Sequence, residues 1–311
     1  MITLSAPKYF TINYIKDFLK TFEHTFDWKG KLVIDVEIDL SKVVQIDILG
    51  MLVLYKYIDY TYANYCFKKP NLYIAPYVND AWAKYQFEEL IQAYVSNKAV
   101  TERAFKEFKV KIDDKFIIAP QALLRETNYT NEYLKNEFIP KVETYYHYNQ
   151  KCVDIIFNTF SEILLNFWEH AVDDTKSVIL ADGNKDRIEI ACADTGIGIV
   201  ENLNNLFGGK IPKLKLLEKA LQKGITSKPN TFHMGFGLWL VSELVKANKG
   251  RLHIYSQGYY YHNDYGKVKQ GTCPNWPGSV IYINIPLKDP KNLSDVLGER
   301  FSNSDIKINF A

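Results

Sequence analysis

Between Cys152 and Val172 the apolar residues Ile155, Ile156, Phe160, Ile163, Leu164, Phe167 and Ala171 return at a period near 3.6, which commits the stretch to a helix with one packing side. Two strand-like runs follow it. SVILAD and RIEIACA alternate around the turn DGNKD, and the Asp-Gly start of that turn favours a hairpin. Farther on, LKLLEKALQK predicts a helix ended by Gly224, and FGLWLVSELVKAN one ended near Gly250, glycine being the residue that accepts a left-handed cap. RLHIYS and GSVIYINIP predict closing strands. The stretch between them, QGYYYHNDYGKVKQGTCPNWP (residues 257–277), suggests no chemistry; a long hairpin loop is the simplest account, with a partner contact as the alternative.

The first half is a second α/β text. An amphipathic stretch from Ile12 to Phe26 precedes the alternation of LVIDVEIDL, and LGMLVLYKYIDYTYAN has helical spacing. NLYIAPYV predicts a strand and NDAWAKYQFEELIQAYV a helix capped by Asn79 or Asp80. Pro120 and Pro140 punctuate the mixed text that follows. A chain of 311 residues is long enough for two cores. The expected division is a small α/β interaction domain over 1–115, a junction over 116–144, a second domain over 145–290 and a tail over 291–311.

Charge and cysteine usage narrow the function classes. The 38 basic and 36 acidic residues nearly cancel and form no long single-sign run, which gives no support to nucleic-acid binding. Cys66, Cys152, Cys192 and Cys273 lie too far apart for a paired zinc or disulfide framework, and a reducing cytoplasm suits them. No apolar run reaches about 18 residues, so no membrane partner is expected.

Three local patterns could carry chemistry. Glu162, Asn166 and His170 are spaced four apart and drift by only about 40° per step, so they form one polar stripe at the edge of the apolar helix face. A carboxylate there could act as general base (Glu162), an amide oxygen could take magnesium (Asn166), and an imidazole could reach a phosphate (His170). Taken alone, the stripe is better explained as a solvated helix face. The loop DTGIGI follows a strand directly: Gly196 and Gly198 allow the backbone to turn close to a flat ligand, and Asp194 can accept a hydrogen bond from an exocyclic amine. An ordinary turn remains open for it. Finally, Gly235, Gly237 and Leu238 begin a helix whose free amides could meet phosphate oxygens. Residues 208–228 before them hold six lysines against Glu218 alone. Lys210, Lys213, Lys215, Lys219 and Lys223 suit a basic helix surface. Lys228, beside Thr226 and Ser227, is the candidate phosphate contact of a triphosphate lid.

Taken in order, Glu162-x-x-x-Asn166-x-x-x-His170, Asp194-x-Gly196-x-Gly198, the lysine-rich lid, Gly235-x-Gly237-Leu238 and GSVIYINIP resemble the successive boxes of the GHKL superfamily of gyrase-, chaperone-, histidine-kinase- and MutL-type ATP-binding domains. The resemblance spans about residues 145–290. It implies the Bergerat α/β sandwich, with ATP between helices and one sheet face, Asn166 on magnesium, Asp194 on adenine and the Ser279 hydroxyl helping to fix the base. HMGFGLWL departs from the family by placing His233 where a richer glycine run often stands. Residues 32–58 resemble the central strand, loop and helix of STAS domains. There Ile46-Asp47 is followed by Ile48-Leu49-Gly50, so the phosphorylatable serine of that family is absent.

These resemblances imply an ATP- and magnesium-binding regulatory ATPase whose first domain meets an unidentified protein partner, with a homodimer left open. The alternatives are a protein serine kinase of the anti-sigma-factor type and a noncatalytic ATP sensor. Transfer to histidine ranks last, because His147 in YYHYNQK lacks a following acid.

Overall fold

The computed structural model describes residues 2–28, 36–64, 71–74, 118–123, 132, 134–147, 149–170, 177–226 and 235–302. The second half is built on one antiparallel sheet. Its strands are β6 (Ile118–Leu123), β7 (Ser177–Gly183), β8 (Arg187–Ala193), β9 (Arg251–Ser256), β10 (Tyr259–Asp264), β11 (Lys267–Thr272) and β12 (Ser279–Pro286), ordered β11-β10-β9-β12-β8-β7-β6. Helix α4 (Gln150–His170) and helix α7 (Gly237–Ala247) lie on one face. Strand alternation sorts the side chains. Ile188, Ile190, Cys192, Leu252, Ile254, Ile281, Ile283 and Ile285 join Ile155, Ile156, Phe160, Ile163 and Leu164 of α4 in one core. Smaller helices α5 (Ile199–Leu206) and α6 (Lys213–Ala220) close its end through Val200, Leu203, Leu216 and Leu217.

The opposite sheet face is also covered. Leu180, Ala191, Ala193, Tyr255, Val280 and Tyr282 share a core with the first half of the chain, and the covering element is α2 (Ile48–Asn64). Residues 48–61 of α2 are buried on every side, as a helix apolar all round must be. On its other side lies a parallel sheet of β1 (Ile2–Ser5), β3 (Val36–Leu40) and β5 (Asn71–Ile74), in the order β1-β3-β5. Asp47 ties the start of α2 down. One carboxylate oxygen accepts the Gly50 N–H at 2.9 Å and the other the Ile12 N–H at 2.8 Å, and burial pushes its pKa up to about 6. A Cβ on Gly50 would stand 2.1 Å from the Phe10 carbonyl oxygen, so only glycine lets the short strand β2 (Tyr9–Phe10), paired with β4 (Gln45–Ile46), cross there.

Four stretches differ from what their sequence suggested. Within 116–144, β6 extends the sheet as its edge strand, which is where Pro120 is tolerated. There too, α3 (Ile139–Tyr145) follows Phe138, whose ring stacks on Phe160 of α4 at 4.2 Å. Within 257–277, Tyr259–Asp264 and Lys267–Thr272 form the β10–β11 hairpin, a continuation of the sheet rather than a plain loop. The expected tail carries α8 (Leu293–Ser302), held to α4 by the Lys151–Asp295 ion pair at 2.8 Å. The amphipathic stretch 12–26 is shorter as a true helix: α1 spans Ile15–Phe22 between 3₁₀ turns at Ile12–Tyr14 and Glu23–Trp28. The predicted helix over 79–95 and Cys66 lie outside the described residues. Among the described residues no helix is long and apolar enough to cross a membrane.

Candidate nucleotide site

Helices α4 and α7 meet at a glycine. A Cβ on Gly237, the first residue of α7, would stand 2.6 Å from Glu162 Oε2 and 3.0 Å from Asn166 Nδ2. The helix N-terminus therefore lies directly against the polar stripe of α4. Asn166 donates its amide N–H to the Glu162 carbonyl at 2.7 Å, which commits the nitrogen to the helix and leaves the amide oxygen as its ligand atom. Glu162 and Asn166 are both part-exposed, at the border of the core. His170 closes the same helix, and its side chain lies outside the described residues.

Asp194 ends β8. It is buried, and its Oδ1 accepts the Gly196 N–H at 2.8 Å. Its backbone is held from two sides: the N–H donates to the Ser279 carbonyl at 2.9 Å, and the carbonyl accepts Trp276 Nε1–H at 2.7 Å. Gly198 has φ +82°, and Ile199 behind it donates its N–H to the hydroxyls of Ser256 at 3.0 Å and Ser279 at 3.1 Å. The Ser279 hydroxyl thus fixes the glycine loop at the start of α5. The side chain of Gln257 completes this loop by accepting the Glu201 N–H at 2.7 Å and donating to the Ile197 carbonyl.

At the other end, Gly224 donates its N–H to the Gly235 carbonyl at 3.1 Å. A Cβ on Gly235, at φ +75°, would stand 2.7 Å from the backbone of Gly224 and Ile225. Gly224 and Ile225 are thereby drawn against the start of α7, with Thr226 half-buried beside them and Leu238 packed on the core. Ser227 and Lys228 lie outside the described residues. Lys213 pairs with Glu201 at 3.8 Å and Lys215 with Glu218 at 3.2 Å, as surface lysines do. Lys223 instead lies 5.5 Å over the rings of both Phe236 and Trp239, at the start of α7.

Helix stripe, strand-end aspartate and glycine turn thus belong to one sheet and the helices packed on it. Residues 153–289 match the family model described as histidine kinase-, DNA gyrase B- and HSP90-like ATPase. This region is a GHKL ATPase domain. No curated protein matches the chain. The mixed helix and sheet architecture agrees with the Bergerat α/β fold of GHKL domains, and ATP is the ligand the family implies.

Among the residues that hold the glycine loop, the sequence patterns did not point to Trp276, Gly278, Gln257 and Ser256. They act on the glycine loop from 56 to 82 positions away, a separation at which no local pattern exists.

A second polar cluster occupies the opposite sheet face. Ligand atoms of His253, His262 and Asp264 lie within 4.8 Å of one another. Arg251 donates to Asp264 Oδ1 at 2.7 Å, the same atom that His253 Nε2 meets at 2.7 Å, and Lys16 stands over the neighbouring Tyr260 ring at 3.2 Å. Arg251 on the carboxylate and Lys16 close enough to act on both histidines oppose a metal ion, so we assign the cluster to the contact between the halves. Burial lowers the His253 pKa to about 4 and that of His262 to about 3, so both rings are neutral at neutral pH.

Proposed function

We propose that the protein is a magnesium-dependent regulatory ATPase that couples its nucleotide state to contact with another protein. The meeting of Glu162, Asn166 and Gly237 carries this reading. It brings a carboxylate, an amide oxygen and a helix N-terminus to one point, the combination that phosphoryl chemistry needs. The oxygen donors suit magnesium, and Asn166 is the residue that would hold it; the ion would neutralise charge on the phosphates. Glu162 would take the proton of an attacking water. The backbone amides at the start of α7 would receive phosphate oxygens, with Lys223 or Lys228 adding positive charge. Asp194 would accept the adenine amine, its orientation fixed by Gly196 N–H, while Ser279 holds the loop against the base. The first half of the chain would present the partner-facing surface, and the likeness to STAS domains supports an interaction role for it.

The test is ATP binding and phosphate release with magnesium, for the wild type and for Glu162→Ala and Asn166→Ala. Glu162→Ala should retain binding and lose release by about 100-fold or more, and Asn166→Ala should weaken binding. Binding without release in the wild type would turn the proposal toward an ATP sensor or a serine kinase awaiting its partner, separable by labelled ATP in lysate. No binding would overturn it.

A further inference from the structure

The segment Cys273–Gly278 touches both halves of the molecule. Trp276 is only 1 % exposed, and its groups reach toward the nucleotide site. The indole N–H donates to the Asp194 carbonyl at 2.7 Å, and the Trp276 carbonyl accepts the Gln257 N–H at 3.0 Å. Gln257, at φ +50°, is the residue whose side chain holds the loop at Ile197 and Glu201. Gly278 lies so near that a Cβ there would stand 2.3 Å from Asp194 Oδ1. Toward the first half, the Trp276 ring meets Phe26 edge-on at 5.5 Å, and the Asn275 N–H donates to Glu23 Oε1 at 2.7 Å. Glu23 and Phe26 both belong to the 3₁₀ turn Glu23–Trp28.

We propose that Trp276 is a positioning residue through which the N-terminal turn Glu23–Trp28 sets the affinity of the adenine end of the site. This rests on the nucleotide-binding reading above. A hydrogen bond to the Asp194 carbonyl fixes the strand end from which its carboxylate projects, and the same indole is buttressed by Phe26. A shift of the turn moves the ring, and the ring moves Asp194 and Gln257 together. Coupling between two sites is reciprocal, so filling the nucleotide site must also tighten the turn.

The test uses the full chain, with ADP as probe. Trp276→Phe keeps an aromatic ring against Phe26 and removes the indole donor; it should weaken ADP binding by about five- to tenfold. Glu23→Ala removes an exposed carboxylate remote from the pocket, so it leaves the fold unchanged even where Trp276→Phe does not; it should weaken binding by about two- to threefold. Together they should weaken it by less than the product of the two. In the wild type, ADP should raise hydrogen-exchange protection of the Glu23–Trp28 amides, and Glu23→Ala should reduce that rise. ADP binding in the wild type with unchanged protection of the turn and unchanged affinity in Glu23→Ala would overturn the coupling. A wild type that does not bind ADP would instead overturn the nucleotide reading, and the coupling with it.

Discussion

Two glycines of the site meet their neighbours differently, and the difference predicts opposite phenotypes. At Gly237 the nearest atom to an added Cβ is Glu162 Oε2, the end of a flexible side chain. Gly237→Ala should therefore keep the fold, since alanine is the better helix former by about 1 kcal/mol, while pushing the carboxylate aside. The expected result is an undiminished melting temperature with phosphate release reduced by about tenfold or more. At Gly278 the neighbours include the Asp194 carbonyl oxygen at 2.4 Å, and backbone cannot swing away. Gly278→Ala should lower stability by about 3 kcal/mol or more and abolish nucleotide binding, both visible in one thermal melt with and without ATP. Asp194 and Gly237 were legible in the sequence because each belongs to a short local pattern. The atoms that hold Asp194 were not, since Trp276 and Gly278 arrive from a distant strand connection.

At the scale of elements, α4 and α7 follow from the helical period of their apolar residues, and β7, β8, β9 and β12 from short apolar runs bounded by turn residues. Helix α2 was legible as a helix and not as a centrepiece. Its apolar residues run round the whole circumference, and that absence of a polar face was the available signal. Lys56 and Asp59, buried within it and paired at 3.0 Å, interrupt the apolar text and make its faces look more solvated than they are. The pairing of β6 with β7 was hidden by Pro120, which reads as a break and sits in an edge strand. Because α2 shares one core with the parallel sheet and the back of the ATPase sheet, Leu52→Ala should cost about 2–5 kcal/mol. Unfolding followed by aromatic fluorescence and by loss of ATP binding should fall together, in one transition. Two separated transitions would contradict a shared core.

For the whole molecule, the contact between the halves is where pH should act. His253 and His262 are held neutral, with pKa values of about 4 and about 3 against 6.5 when unfolded. The unfolded chain therefore takes up protons first. The stabilisation is complete above pH 6.5 and is lost as pH falls from there toward 4. Asp47 has the opposite sign, its raised pKa favouring the fold below pH 4 and losing that contribution as pH rises through about 6. Two histidines outweigh one aspartate, so the melting temperature should fall between pH 6.5 and 4. His262→Phe, which keeps a ring against His253, should flatten that fall; an unchanged slope would place the acid sensitivity elsewhere. Arg251 also donates to Asn13 at 2.9 Å in the same contact, an exposed hydrogen bond.

The buried α2 also bears on how such a chain could have been assembled and how it can change. An ATPase unit with a wet back can be cut out and attached to new neighbours as an exchangeable cassette. Here the back of the sheet carries Leu180, Tyr255, Val280 and Tyr282 against a helix encoded more than a hundred residues earlier. Transplanted alone, the cassette would arrive with an oily side, so the two halves of this gene are expected to have been inherited and to drift as one unit.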